Sequence, residues 1–474
     1  MSLSSPLADT STTGEHPLRW SSVRPHLAPL FRLAWPVVLA EVGWMSMGVV
    51  DTLMVSPLGP DAIGAVGLGG SLFIAVAIFG MGLLLGLDTY VSQSFGAGHI
   101  AQCWRWLTSG LSLGAMVALP LTAALWAVAM HLDRLNLHPS VAVLTRPYLA
   151  ILSWSLLPLL AYAACRRFLQ GIGLVRPVTF ALISANLVNA FANWVFIYGH
   201  LGVEPLGVAG SALATLAARI YMAAVLVWAI VFYADRPTAA QPDTQPRTQR
   251  LKQLFFMGAP AALQLVLEVG VFTAVTAMAA RLNPIALASH QIALNIAASV
   301  FMIPLGTASA AAVLVGRHVG RRDIPGAVRA GWTALLGTSV VMVVVSLIFL
   351  AVPQLLIAGF TRDPRVVSIG VELLTVAALF QLCDGLQAVA TGVLRGIGDT
   401  RTPMLWNLAG HWLGGLPAGW ALCFIAGWGV TGLWVGLSIG LIAVGTALLV
   451  VWHYRARRLL QGGGSVVVAV SLSP

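Results

Sequence analysis

Charge is nearly absent from this chain. Of its 474 residues only 9% are Asp, Glu, Lys or Arg, and Lys252 is the single lysine. A soluble protein of this length carries a far more charged surface, so a soluble multidomain architecture is excluded. Cysteine is scarce too. Cys103, Cys165, Cys383 and Cys423 stand apart with no CxxC spacing, which argues against disulfides and a cysteine metal site. His290 and His318 have no HExxH string or paired spacing, so no metalloenzyme motif is present. The first residues lack a basic stretch followed by a short apolar core, and no cleaved signal peptide is expected.

What fills the chain is apolar. Hydrophobic residues make up 58% and mean hydropathy is +0.88. Runs of about 20 apolar residues recur, long enough to cross a hydrocarbon core of about 30 Å. They predict transmembrane helices near 30–55, 62–88, 106–130, 142–165, 177–199 and 207–233, then near 253–280, 286–315, 328–352, 367–392, 402–426 and 430–454. The expected fold is an all-α integral membrane protein of twelve transmembrane helices. Between the sets lies the only long polar stretch after the N-terminus. The division expected is therefore a polar N-terminus (1–28), a first lobe (29–233), a linker (234–252), a second lobe (253–455) and a tail (456–474).

The formal net charge of +10 is explained by sidedness rather than by nucleic acid. Most arginines fall in loops on one side, including Arg166, Arg167, Arg176, Arg321, Arg322, Arg455, Arg457 and Arg458. Arg134, Arg146, Arg281, Arg362 and Arg365 fall on the other, and Arg219 lies within a span. By the positive-inside rule both termini, the N-terminus and the tail, are expected in the cytoplasm.

The chain also repeats itself. Pro36 falls on Pro260 and Gly96 on Gly320, both at an offset of 224 residues. Leu169-Gln170-Gly171-Ile172-Gly173 falls on Leu394-Arg395-Gly396-Ile397-Gly398, and Gly207-Val208-Ala209-Gly210 on Gly429-Val430-Thr431-Gly432. Four matches in order near one offset predict two pseudo-symmetric six-helix bundles. An even number of spans per unit gives both the same orientation, an arrangement suited to alternating access.

Against this background three acids within spans stand out: Asp51, Glu268 and Asp384. A carboxylate at the bilayer centre costs roughly 2.5–3.5 kcal/mol on insertion scales, so such a residue faces protein or a watery cavity and marks an ion or substrate pathway. At 1.5 Å per residue, Glu268 lies about 22 Å and Asp384 about 15 Å from the basic side. They are therefore candidates to share one cavity, where they could hold Na⁺ through hard oxygen ligands or share a proton. Asp51 sits late in the first span. Asn186, Asn189 and Asn193 follow i, i+3, i+7 on one helical face, able to coordinate a cation or hydrogen-bond Asp51. Glu41 and Gln264 are further candidates for the cavity. Asp88, beside a glycine-rich turn, is expected to cap a helix, and Glu372 to lie at the interface.

Two strings mislead. Gly396-Ile397-Gly398-Asp399 matches the GxGD of intramembrane aspartyl proteases, but its place in the repeat makes it a turn. Gly67-Leu68-Gly69-Gly70 has no βαβ context and belongs to a membrane helix. No converging nucleophile, base or metal motif supports a membrane-embedded enzyme. A flippase for lipid-linked saccharides would call for a cationic cavity, whereas the buried charges here are mainly acidic.

The motifs, taken together, resemble the multidrug and toxic compound extrusion (MATE) family. The carrying strings are Pro36 with VDTLMV, LGPDAIGAVGL, DTYVSQSFGAG, LQGIG, NWVFIYG, GVAGSALAT, LEVGVF, QLCDGLQAVATGVLRGIGDTRTPM and GVTGLWVG, spread over about residues 30–440. The acids of LEVGVF and QLCDGLQ resemble the NorM-like branch. The DinF-like branch has an Asp four residues after an Asn on the fifth span, where this chain has Asn193 after Asn189. The resemblance implies a cell inner membrane antiporter driven by Na⁺ or H⁺, exporting small drug-like, often cationic organic compounds. It implies coupling at Glu268 and Asp384, with Asp51 as the acid of the first lobe. No cofactor, nucleic acid or protein partner is implied, and the chain is read as a monomer in the lipid bilayer.

Overall fold

The computed structural model describes residues 20–135, 138–236 and 245–462, with side chains from residue 28 onward except Leu135. Most of the polar N-terminus, residues 237–244 of the linker and the tail beyond 462 lie outside the described residues. Among the described residues all regular structure is helical.

The first half comprises α1 (Trp20–Val55), α2 (Pro60–Leu83), α3 (Gly86–Gly96), α4 (Ile100–Met130), α5 (Pro139–Ser153), α6 (Leu156–Gly171), α7 (Arg176–Tyr198) and α8 (Val208–Tyr233). The second comprises α9 (Arg247–Ala280), α10 (Pro284–Gly320), α11 (Ile324–Ala351), α12 (Pro353–Ala358), α13 (Pro364–Gly396), α14 (Arg401–Asn407), α15 (Leu416–Trp420) and α16 (Gly429–Leu460). Among the described residues eleven helices are long and apolar enough to cross a membrane, with α2 and α3 forming one of them. The bent pair α5–α6 makes a twelfth.

Besides the α2–α3 junction at Leu84–Leu85, two spans depart from the continuous helices expected. The fourth breaks between Ser153 and Leu156 with a 45° bend. There the Ser153 hydroxyl donates to the Ala150 carbonyl at 2.7 Å and Ser155 to that of Leu152 at 2.5 Å. Hydroxyls that capture carbonyls one turn back compete with the helical ladder. The eleventh span widens into π-helix over Leu408–Gly415 and Ala421–Ile425. Its glycines lie against those of α16: a Cβ on Gly436 would sit 2.2 Å from the Cα of Gly419. Such close approach of backbones is how small residues pack membrane helices.

The repeat is visible in the backbone. Gly173 and Gly398 both turn with positive φ, at 84° and 88°, as do Gly207 and Gly429 at 55° and 60°. Only glycine takes these values without strain.

The halves meet in the same symmetry. A Cβ on Gly96 would lie 2.1 Å from the carbonyl oxygen of Arg317, and one on Gly320 2.0 Å from that of Gln93. Both contacts lie at the end of the bundle that carries the two termini. Each half also lends its first helix to the other. Leu30, Leu33, Ala34 and Val37 of α1 join the core of α10, α11, α13 and α16, while Leu254 and Met257 of α9 join the core of the first half. The terminal end is thereby closed.

Candidate functional site

In the first half, Asp51 is buried near the end of α1. Its Oδ1 accepts from Asn189 at 3.0 Å and Asn193 at 2.8 Å, both on α7, and its Oδ2 accepts from Thr215 of α8 at 2.8 Å. The polar face of the fifth span therefore reaches Asp51 with two of its three amides. Asn186 stands apart: its amide donates to the Gly43 and Leu182 carbonyls, both at 2.9 Å, tying α7 to α1.

Every hydrogen-bonded neighbour of Asp51 is a neutral donor. The Thr215 hydroxyl also reaches the Ser211 carbonyl at 3.1 Å. One turn further on α8, Arg219 donates to Ser155 at 2.5 Å and lies 4.3 Å over the Phe73 ring.

In the second half, Glu268 on α9 is half-buried and Asp384 on α13 is buried. They are near enough for their charges to act on each other. Neither has a hydrogen-bond or ion-pair partner among the described residues. Gln264, one turn before Glu268, donates to Thr391 of α13 at 3.4 Å. The Trp412 indole donates to the Leu267 carbonyl at 3.0 Å and seats the eleventh span beside Glu268. His290 is held between Thr276 at 2.8 Å and the Trp434 indole at 3.0 Å, a packed structural position.

Two further acids are ion-paired. Glu41 forms a buried ion pair with Arg166 of α6. Asp88, expected as a helix cap, is instead fully buried between Arg167 at 3.3 Å and Arg395 of the second half at 3.4 Å. The reason is tertiary: α3 lies in a groove between α10 and α13, so its first turn meets α13 rather than solvent. Arg167 also donates to Ser309 of α10 at 2.9 Å, Thr89 to the Arg395 carbonyl at 2.6 Å, and Gln93 to that of Gly396 at 3.1 Å. The turn reading of Asp399 agrees with the structure, for its carboxylate accepts from Thr402 N at 3.0 Å and caps α14.

Sequence reasoning passed over Thr215, a lone hydroxyl on an apolar helix. It also passed over Asn407 and His411, which are i, i+4 in the eleventh span. Both are fully buried, and none of their amide or ring polar atoms has a partner among the described residues. Each such group costs about 1–3 kcal/mol if left dry, so this interior calls for water or an ion.

Against this geometry the comparisons with known proteins are direct. The MatE family model matches the chain twice, over residues 36–195 and 260–421. The chain belongs to the MATE family. The two matches begin at 36 and 260, which is the 224-residue offset of the repeat. A probable multidrug resistance protein NorM of Mesorhizobium japonicum is 34% identical over 443 residues, covering 92% of this chain and 95% of that protein. The multidrug resistance protein NorM of Burkholderia vietnamiensis is also 34% identical, with the same coverage. Among solved structures, the eukaryotic MATE transporter AtDTX14 superposes with a TM-score of 0.81 at 21% identity, over 93% of this chain and all of that one. The Vibrio cholerae MATE transporter VcmN in its bent form gives 0.82 at 18%, over 93% and 99%. These structures share the fold. This MATE chain is a multi-pass membrane transporter of the NorM-like branch and not an enzyme.

Proposed function

We propose that this MATE chain is an antiporter of the cell inner membrane that exports drug-like, often cationic organic compounds in exchange for Na⁺ or H⁺. Both termini face the cytoplasm, the lobes span 29–233 and 253–455 around the 234–252 linker, and the chain works as a monomer. The observation that carries this reading is the pair Glu268 and Asp384, two carboxylates within electrostatic reach, neither with an ion-pair partner among the described residues. Two acids so placed repel when both are ionised, and a bound Na⁺ or a shared proton relieves that repulsion. Asp51, with its amide and hydroxyl donors, is a second and separate station.

The close contacts between the halves at the end where α1 begins and α16 ends support an outward-open state. Alternating access follows from rocking of the lobes about their near-symmetric seam. A cation entering from outside exchanges for drug by binding one state more tightly than the other, since only differential affinity moves such an equilibrium.

The test is export of a fluorescent lipophilic cation from cells carrying Glu268→Gln, Asp384→Asn or Asp51→Asn. Each should reduce efflux at least tenfold at unchanged protein level in the membrane. Wild-type efflux in all three would refute the reading.

A further inference from the structure

At the terminal end, α1, the start of α7 and the end of α10 enclose a groove of ≈ 740 Å³. It is lined from the first half by residues of α1 and by Gly173–Pro177, and from the second by Leu314 and Arg317. Three arginines line it, Arg32, Arg176 and Arg317, and no acidic side chain among the described residues does. Arg317 is committed to the fold. It donates to the Gly171 carbonyl through Nε at 3.1 Å and Nη2 at 2.9 Å, and lies 4.9 Å over the Phe95 ring. Arg32 and Arg176 are exposed and have no hydrogen-bond or ion-pair partner among the described residues. Beside them Phe31 and Trp35 stack at 6.0 Å, with 66% and 53% of their surfaces exposed.

The groove's depth narrows its ligand. Arg176 opens α7, Arg317 is three residues from the end of α10, and Arg32 of α1 stands at the same level in the groove. The groove therefore opens where hydrocarbon gives way to headgroups. Guanidinium groups pair bidentately with phosphate. Aromatic side chains at that level border the acyl chains, and basic pockets between helices at this level take anionic headgroups. A cationic drug would meet unbalanced positive charge here, and a small soluble anion would leave the Phe31–Trp35 stack unused.

We propose that this groove binds an anionic phospholipid, its phosphate on Arg32 and Arg176 and its acyl chains along Phe31 and Trp35. Because both halves supply the walls, the site is complete only while the terminal end is closed. A lipid bound there stabilises that state by mass action. This last consequence rests on the alternating-access reading, whereas the binding does not.

The test uses the purified full chain in nanodiscs of phosphatidylcholine alone or with phosphatidylglycerol, and reads the melting temperature. Phosphatidylglycerol should raise the Tm of the wild type by several degrees. The same shift is expected in Arg457→Gln/Arg458→Gln, which removes two exposed charges of the same end outside the groove. In Arg32→Gln/Arg176→Gln the shift should fall by more than half, with the Tm in phosphatidylcholine unchanged. If that double variant does not fold, the single variants Arg32→Gln and Arg176→Gln are read in the same way. A full shift in the groove variants would overturn the proposal. So would an equal loss in the control, or an equal rise on adding soluble glycerol phosphate to phosphatidylcholine discs. No arm depends on transport, so failure here is separable from failure of the antiport reading.

Discussion

The carboxylate of Asp88 lies 3.4 Å from the guanidinium of Arg395, across the seam between the two halves. Arg167, on the Asp88 side, lies 3.3 Å away. One buried acid thus joins a half-buried and a buried arginine and ties the lobes at that end. Removing one member of a buried pair costs about 3–5 kcal/mol, because the charges left behind are stranded. Opening the seam returns them to water, so the cost falls on the closed state alone. Asp88→Asn is therefore expected to shift the lobes toward opening by two or more orders of magnitude in population. Spin labels at Gln102 and Arg321 should report a longer, broader distance distribution than in the unsubstituted seam. An unchanged narrow distribution would show that the tie does not hold the lobes.

Both members of the Glu41–Arg166 pair belong to the first half, and its loss should read as instability rather than as loss of coupling. Glu41→Gln strands the buried Arg166, again at about 3–5 kcal/mol, and should lower the melting temperature and the yield. Glu41→Gln combined with Arg166→Met removes both charges and should recover most of that loss. Recovery of stability without recovery of efflux would mean that Glu41 also serves transport.

Thr215 gives Asp51 its third donor. Thr215→Val leaves Oδ2 of Asp51 without that hydrogen bond, at about 1–3 kcal/mol, and should reduce efflux roughly 5- to 100-fold on that scale. Thr215→Ser keeps the hydroxyl and should stay within about twofold of wild type. Equal efflux by the Val and Ser variants would remove Thr215 from the site.

Much of this was legible in the sequence, for definite reasons. The repeat could be read because its anchors are glycines held by positive φ or by backbone contact, as Gly173 and Gly398 are, and glycine takes such positions most readily. The meeting of Asp51 with Asn189 and Asn193 followed from helical periodicity, which places i and i+4 on one face. Asp88 could not be read this way. Its partner Arg395 is 307 residues distant in sequence, and nothing local separates a capping acid from one that crosses a seam. The bend at Ser153–Ser155 and the π-helical eleventh span were hidden too, because both depend on which carbonyls the hydroxyls and neighbouring helices claim. Asn407 and His411 stand at helical spacing. In a glycine-rich span that spacing alone does not tell a packed polar pair from one turned into an interior in need of water.

The central claim is that Glu268 and Asp384 couple an inward cation to an outward solute. Its most direct test is efflux from proteoliposomes under an imposed Na⁺ gradient at equal pH, or an imposed pH gradient without Na⁺. The wild type should respond to one of the two gradients, and Glu268→Gln with Asp384→Asn should abolish that response while the protein remains folded. An unchanged gradient response in the double variant, or no response of the wild type to either gradient, would contradict it.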